Sequence, residues 1–180
     1  MIRRASLALF ALILTVQLCG CAGLFYGLFD DKRLTDTMTS DKALATNIKT
    51  ELLRAHFSEG WNTSVFCYYG KVFLVGLVPP DRQAQAVEIA RSFRDVRSVT
   101  AQWFAPEKGE SSDAALALRL RTELIGAKGV SSTRIDTYVD AGRVVLLGVV
   151  HDDAERDLVI RVAKETQGVK EVISFLMLPM

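Results

Sequence analysis

The residues of this chain that are best suited to covalent or acid–base chemistry are three cysteines and two histidines. Cys67 lies in an apolar, strand-like run, and neither His56 nor His151 has a plausible sequence-level connection to it. A reactive thiol needs a neighbouring base or a positive environment. We therefore predict that Cys67 is a small buried residue, with a nucleophile as the weaker alternative. The sequence shows no hydrolase triad and no metal-ligand cluster, so we predict no catalytic residue, no metal site and no enzyme activity.

Two glycine–cation pairs, Gly70-Lys71 and Gly142-Arg143, superficially suggest phosphate-binding loops. Neither pair lies in a P-loop motif or in a dinucleotide-binding motif. A glycine in a tight turn tolerates positive φ and explains the same pattern. We therefore predict that both pairs belong to turns.

The other two cysteines, Cys19 and Cys21, follow an N-terminal stretch with the layout of an export signal. A cationic start at residues 1–4 precedes an apolar stretch from 5 to 16. This order is typical of a secretory signal peptide. The apolar stretch is shorter than the roughly 20 residues that a membrane-spanning helix needs, so a permanent span is the weaker alternative.

The residues Leu18-Cys19-Gly20-Cys21 resemble the bacterial lipobox, in which an aliphatic residue and two small residues precede a lipid-modified cysteine. The resemblance implies a lipoprotein signal peptide at 1–20, and N-acyl and S-diacylglycerol lipid on Cys21. Cys19 fits the motif less well because Leu18 would then occupy a position that should be small. The alternative is a chance cysteine in an ordinary signal peptide.

Residues 21–39 are predicted to form a lipidated tether. Ala22, and not an aspartate, follows Cys21. By the sorting rule of enteric-type lipoproteins, this implies an outer-membrane protein that is lipid-anchored and faces the periplasm. One acyl chain anchors only marginally, whereas several chains on one cysteine hold a protein stably. We expect no other cofactor.

Composition and charge limit the remaining classes of function. The chain is 49% hydrophobic and 24% charged, which is ordinary for a globular protein. Its formal net charge of +1 provides no global field that would favour nucleic acid, so we predict no nucleic-acid partner. Once Cys21 is modified and Cys19 is removed, Cys67 has no cysteine left to form an intramolecular disulfide.

An internal repeat organises the rest of the chain. The offset between matching residues is 72 positions for the first two blocks and 73 positions for the last. The matching blocks are 41–53 with 113–125, 70–78 with 142–150, and 95–99 with 168–172. Three ordered blocks in register indicate a duplicated domain. The predicted domains span 40–106 and 112–180, with a polar linker at 107–111.

Each copy has the pattern of an αββαβ domain. An amphipathic helix opens it, with Ser40 or Ser112 as the expected N-cap. A tight hairpin, a second helix and a final strand follow. The fold class is therefore α+β: two tandem domains, each with a small mixed three-stranded sheet covered by two helices. The apolar run 175–180 is predicted to be a strand that is buried on both faces, with a surface for a partner as the alternative.

The motif Gly-Lys/Arg-Val-x-Leu-x-Gly-x-Val in each hairpin, together with Gly-Val-Lys-x-Val before the last strand, resembles the BON domain. The first copy departs from the second, with Asp95 and Arg97 in the latter motif, and Pro79-Pro80 replaces a polar turn. Two such domains behind a lipobox resemble the dual-BON outer-membrane lipoproteins. The resemblance implies phospholipid binding, a role in cell-envelope integrity and at division sites, and no enzymatic chemistry.

The opening helix of the second copy carries the candidate lipid-binding face. At 100° per residue, Leu118 and Ile125 fall nearly opposite the core stripe of the helix. Arg119, Arg121 and Thr122 lie beside them. Such a face suits an anionic phospholipid surface, and the family resemblance points to the same helix. The alternative is that the apolar pair packs against the first copy.

One departure from the family weakens this face: Ala115 stands where the family can carry a tryptophan, so we expect shallower insertion.

Two functions remain in view. The first is a lipoprotein that binds anionic membrane phospholipid and maintains the envelope. The second is a periplasmic interaction scaffold that recruits envelope or division proteins, with incidental lipid contact.

Overall fold

The computed structural model describes residues 35–105 and 113–180. The described residues all belong to one compact unit, Arg33–Met180. That unit contains its own hydrophobic cores, which is the requirement for folding as an isolated fragment. The predicted signal peptide, Cys21 with its lipid, the tether up to residue 34 and the linker at 107–111 lie outside the described residues.

The first domain has two main helices, one short helix and three strands. They are α1 (Thr35–Ala55), α2 (Phe57–Trp61), β1 (Thr63–Tyr68), β2 (Lys71–Gly76), α3 (Pro80–Arg91) and β3 (Ser98–Trp103). The second domain repeats the order with a short 3-10 turn, Ser132–Arg134, in place of α2. Its elements are α4 (Asp113–Gly126), β4 (Ile135–Asp140), β5 (Arg143–Val149), α5 (Asp153–Glu165) and β6 (Glu171–Met177).

The described strands form two mixed three-stranded sheets of the same topology. β2 lies between β1, which is antiparallel to it, and β3, which is parallel. β5 has the same place between β4 and β6. The prediction of two tandem αββαβ domains with mixed sheets is confirmed.

The two long helices of each domain cover one face of its sheet. The leucine and isoleucine stripes predicted for the opening helices are at most 8% exposed, at Leu44, Ile48 and Leu52 in α1 and at Leu116, Leu120 and Leu124 in α4. Each fully buried side chain of this type contributes roughly 1.5 to 3 kcal/mol of hydrophobic stabilisation. The predicted core stripes are therefore confirmed.

The first helix begins earlier than predicted. It starts at Thr35 and so includes the last five residues of the predicted tether. Ser40 is not an N-cap, because its hydroxyl donates to the carbonyl of Asp36 (2.8 Å) inside the helix. The carboxylate of Asp36 in the first turn favours a helix start at this point. Ser112 lies outside the described residues, and α4 is described from Asp113.

The other faces of the two sheets pack against each other. This third core joins the two domains and contains Tyr68, Phe73, Val75, Phe104, Val145, Leu147 and Val149. Phe73 of β2 meets Phe175 of β6 with ring centroids 5.4 Å apart. The central strands β2 and β5 are therefore buried on both faces.

The final strand, β6, contributes side chains to two hydrophobic cores, one on each face of its sheet. Leu176 packs into the core beneath the helices, whereas Phe175 and Met177 pack into the core between the domains. Leu178 and Met180, however, are 40% and 67% exposed. The prediction of two-sided burial is therefore right for the end of the strand and wrong for the residues that follow it, because they extend past the sheet.

Polar contacts also cross between the domains. The Tyr68 hydroxyl donates to the carboxylate of Asp136 (2.5 Å). The Arg143 guanidinium lies 4.5 Å from the centre of the Phe104 ring. That ring also stacks on Tyr138, with centroids 6.0 Å apart and planes 1° from parallel. These contacts fix one relative position of the two sheets.

Candidate functional site: the outer face of helix α4

The outer face of α4 presents two large aliphatic side chains to solvent. Leu118 is 70% exposed and Ile125 is 61% exposed. Large exposed hydrophobic side chains on a well-formed helix indicate a surface for a partner when they lie together. The alternative that this pair packs against the first domain is wrong, because the first domain meets the opposite side of the second sheet.

Helix α4 is held in place by packing along its inner side and by hydrogen bonds at its N-terminal end. Leu116, Leu120 and Leu124 bury its inner stripe. The Asp113 carboxylate in its first turn accepts hydrogen bonds from the backbone N–H groups of Ala141 (2.9 Å) and Gly142 (3.2 Å). The N-terminal end of α4 is thereby fixed to the turn of the β4–β5 hairpin.

The hairpin turn has the geometry that creates this carboxylate site. Ala141 and Gly142 both have positive φ, 49° and 83°, as a type I′ turn requires. Their N–H groups then point to one side, where Asp113 receives them. In the first domain, Asp41 accepts the N–H groups of Tyr69 (2.7 Å) and Gly70 (2.9 Å) in the same way.

This aspartate contact was missed from the sequence. The available signal was the aspartate that recurs at the repeat offset, Asp41 and Asp113, ahead of two glycine turns. The contact also explains why the Gly-Lys and Gly-Arg pairs are not phosphate loops. The turn N–H groups that a phosphate would need already bind a carboxylate of the same chain.

The predicted basic residues lie on α4 with their guanidinium groups tied to backbone carbonyls. Arg119 donates to the carbonyl of Gln167 (2.5 Å), and Arg121 donates to the carbonyl of Ile135 (3.1 Å). A guanidinium has five N–H donors, so one bond to a carbonyl positions the group and leaves most of its donors for other acceptors. Arg119 is exposed and Arg121 is half-buried.

Thr122, the third polar residue of the predicted face, also lies on α4. Its hydroxyl donates to the carbonyl of Leu118 within the helix (2.9 Å). Thr122 is exposed, and helical spacing places it between Leu118 and Ile125 on the same face. The arrangement can place aliphatic groups at the acyl boundary of a bilayer and hold cations at the level of the headgroups.

The equivalent face of α1 is more polar. Thr46 is exposed and Leu53 is half-buried at the positions that correspond to Leu118 and Ile125. Lys49 donates to the carbonyls of Gly60 (2.6 Å) and Thr63 (2.5 Å), so its ammonium is held within the domain. Burial lowers the pKa of this amine below its usual value of 10.5. The outer face of the opening helix is therefore more apolar in the second domain than in the first.

Cys67 is 8% exposed, and the prediction of a small buried residue is confirmed. Its thiol donates to the carboxylate of Asp41 (3.3 Å). Reactive thiols occupy positive surroundings, whereas this one faces a negative group. The contact supports a structural role for Cys67.

Within residues 35–105 and 113–180, no three acidic, histidine or cysteine side chains come together as a metal site would require. Across the same two ranges, the helices lack the combination of length and apolar content that crossing a bilayer demands.

Together, these elements define a chain of two tandem αββαβ domains that are joined by a shared core. The model of the BON domain matches residues 40–102 and 112–178, which is most of the chain. The chain therefore belongs to the BON-domain family.

Relatives from two bacteria cover most of this chain. An uncharacterized protein in the gshII 5′ region of Anaplasma centrale is 28% identical over 147 residues, which are 77% of this chain and 94% of that protein. The Osmotically-inducible protein Y of Escherichia coli strain K12 is 27% identical over 139 residues, which are 73% of this chain and 69% of that protein.

Solved structures of CdsD, a structural protein of the type III secretion system of Chlamydia trachomatis, are also similar. One, of its C-terminal domain, is 15% identical with a TM-score of 0.33, and covers 78% of this chain and 67% of that chain. Another is 16% identical with a TM-score of 0.33, and covers 77% of this chain and 63% of that chain.

Proposed function

We propose that this protein is an outer-membrane lipoprotein of the dual-BON type, similar to DolP (YraP), which faces the periplasm and is anchored through lipid on Cys21. In this proposal the second BON domain binds anionic phospholipid, and the protein helps to maintain cell-envelope integrity, including at division sites. Membership of the BON family and the relationship to an osmotically inducible protein support an envelope role.

The observation that carries the lipid proposal is the exposure of Leu118 and Ile125, 70% and 61%, beside two positioned arginines. Burial of one such aliphatic side chain yields roughly 1.5 to 3 kcal/mol. Each cation near an anionic surface adds about 1 kcal/mol. These gains give the domain an affinity of its own, and a lipid anchor that already holds the protein on the membrane would increase it.

Vesicle flotation of the Arg33–Met180 fragment tests the lipid-binding face. We expect the fragment to float with phosphatidylglycerol vesicles, and binding to weaken as salt rises, because salt screens the arginines. Leu118→Glu with Ile125→Glu should reduce binding to the level seen with phosphatidylcholine vesicles.

The matched control is Leu178→Glu with Met180→Glu, which adds the same charge at two other exposed apolar residues. This control should bind like the unmodified fragment. A folded fragment that does not float with anionic vesicles would contradict lipid binding and favour the interaction scaffold.

The anchor is tested in cells that express residues 1–180. Metabolic labelling with palmitate should mark the protein, and Cys21→Ala should abolish the label and release the protein from the outer-membrane fraction. The matched control is Cys19→Ala, which should keep both the label and the membrane location. An unlabelled protein, or a label that persists in Cys21→Ala, would contradict the anchor.

A further inference from the structure

A second exposed apolar surface lies on the first domain, away from α4. Phe57 is 70% exposed and Trp61 is 69% exposed on the short helix α2. Their rings stack with centroids 6.0 Å apart and planes 27° from parallel. Among the described residues, no other aromatic side chains are exposed to this degree.

The two rings stand on a rigid base. A Cβ on Gly60 would lie 2.6 Å from the backbone of Leu52, so α2 is packed directly against α1. The ammonium of Lys49 binds the carbonyls of Gly60 (2.6 Å) and Trp61 (3.2 Å) and so holds the end of α2. The aromatic pair is therefore fixed in an outward position.

The fold does not require these aromatics. At the repeat offset of 72 positions, the second domain has Gly129 and Thr133 in their place. Aromatic side chains that are exposed, rigidly held and absent from the sister domain suit contact with an external surface.

The charges near the pair are balanced. Arg54 pairs with Glu51 (3.4 Å) and Arg82 pairs with Asp81 (3.4 Å). Lys49 is engaged by carbonyls, and Glu59 supplies an opposing carboxylate within the short helix itself. This surface therefore has no net charge that would select a charged partner, unlike the arginine-flanked face of α4.

An indole and a phenyl ring on a neutral surface match the polar–apolar boundary of a bilayer, where amphipathic aromatic side chains concentrate. In the proposed anchored protein, 13 residues separate Cys21 from α1 and can span about 45 Å. α1 itself is about 30 Å long. The end of α1, where α2 lies, is thus within reach of the membrane.

We propose that Phe57 and Trp61 form a second membrane-contact site, which enters the bilayer interface without preference for headgroup charge. The inference rests on the proposed membrane anchoring, and it assigns the first domain a contact distinct from that of α4. Each domain would then touch the bilayer with different chemistry.

Tryptophan fluorescence of the Arg33–Met180 fragment tests this site. The chain has two tryptophans, so Trp103→Phe leaves Trp61 as the only one. We expect a blue shift of its emission on phosphatidylcholine and phosphatidylglycerol vesicles, and quenching by lipids brominated on the acyl chain. Phe57→Ser with Trp61→Ser should lower the partition constant on phosphatidylcholine at least about tenfold. Met180→Ser, at an exposed apolar residue elsewhere, should leave it unchanged.

The outcomes separate this inference from the proposed function. Emission that does not change on either vesicle, or that changes only on phosphatidylglycerol, would overturn the inference. Flotation with phosphatidylglycerol that depends on Leu118 and Ile125 would then still uphold the lipid-binding role of α4. Conversely, quenching of Trp61 without any effect of the Leu118→Glu and Ile125→Glu changes would support the aromatic site and contradict the α4 proposal.

Discussion

Asp113 connects two parts of its domain that are far apart in sequence. Its carboxylate accepts the N–H groups of Ala141 (2.9 Å) and Gly142 (3.2 Å), and thereby ties the start of α4 to the β4–β5 hairpin. A hydrogen bond to a charged acceptor is roughly twice as strong as a neutral one. The same residue therefore holds the turn in shape and helix α4 in place.

Replacement of this carboxylate should destabilise the domain. Asp113→Ala removes the acceptor of two turn N–H groups, and we expect a loss of about 2 kcal/mol in the free energy of unfolding. Urea denaturation of the Arg33–Met180 fragment measures it. Asp153→Ala is the control, because the carboxylate of Asp153 is largely exposed and pairs with Arg156 only at the surface. The control should change the free energy by less than about 0.5 kcal/mol. Equal losses in the two variants would contradict the role of Asp113.

Tyr138 should make stability depend on pH in the alkaline range. Burial raises the pKa of its phenol above the usual value of 10.0, and the nearby carboxylates of Asp140 and Asp113 raise it further. The folded state then binds the phenolic proton more tightly than the unfolded state does. The resulting stabilisation is complete below pH 10 and is lost as pH rises through the folded-state pKa.

Thermal unfolding between pH 9 and pH 12 tests this effect. Tyr138→Phe cannot lose a proton, so its melting temperature should fall less steeply above about pH 10 than that of the unmodified fragment. Parallel curves for the two proteins would show that Tyr138 does not contribute. The lysines common to both proteins cancel in the comparison.

At the scale of elements, β5 passes very close to the residues that lead into β4. Gly148 has a φ of 136°, and a Cβ there would lie 2.1 Å from the carbonyl oxygen of Arg134. We expect Gly148→Ala to cost about 3 kcal/mol or more, because backbone must move and the conformation disfavours a side chain. Gly126→Ala, where the added methyl meets no atom within 4 Å, is the matched control. Calorimetry should show a large drop in melting temperature for the first variant only.

The elements themselves were largely predictable from the sequence, because their signals are local. The stripe of Leu116, Leu120 and Leu124 repeats with helical spacing, and Ala141-Gly142 lies between two β-rich runs. The start of α1 was not predicted, since Ser40 reads as a cap when its bond to Asp36 is unknown. The short helix α2 also went unpredicted, because five residues are too few for a periodic signal.

The sequence predicted which residues form the candidate face, but it did not predict the hydrogen bonds that hold them in position. Helical projection alone places Leu118 and Ile125 away from the core. The bonds from Arg119 to Gln167 and from Arg121 to Ile135 join distant segments, so no local pattern reveals them. The sequence could not decide between solvent and the first domain as the neighbour of this face, since that depends on which sheet faces meet.

At the scale of the whole molecule, the core between the sheets should couple the unfolding of the two domains. Phe73 and Phe175 meet across it, with ring centroids 5.4 Å apart. We expect the Arg33–Met180 fragment to unfold in one calorimetric transition. Phe175→Ala should lower the temperature of that transition and also speed hydrogen exchange in β2. The substitution opens a cavity beside the first domain, which should lower the free energy of unfolding by about 3 kcal/mol.

The control for this coupling is Leu178→Ala, which changes a 40% exposed side chain just beyond the same strand. It should leave exchange in β2 unchanged. Two separate transitions, with the first insensitive to Phe175→Ala, would show that the domains unfold independently.

The shared core between the sheets also bears on how such a molecule arises by gene duplication. A single copy would leave the outer side of its sheet, with residues such as Phe73 and Val75, uncovered, and would have to find a twin in solution. Fusion through a linker as short as the predicted 107–111 supplies that twin at a local concentration in the millimolar range, whatever the abundance of the protein. Pairing then becomes independent of expression level, and the two helical sides are released from selection for the same task, so that one can acquire leucine and isoleucine and the other phenylalanine and tryptophan.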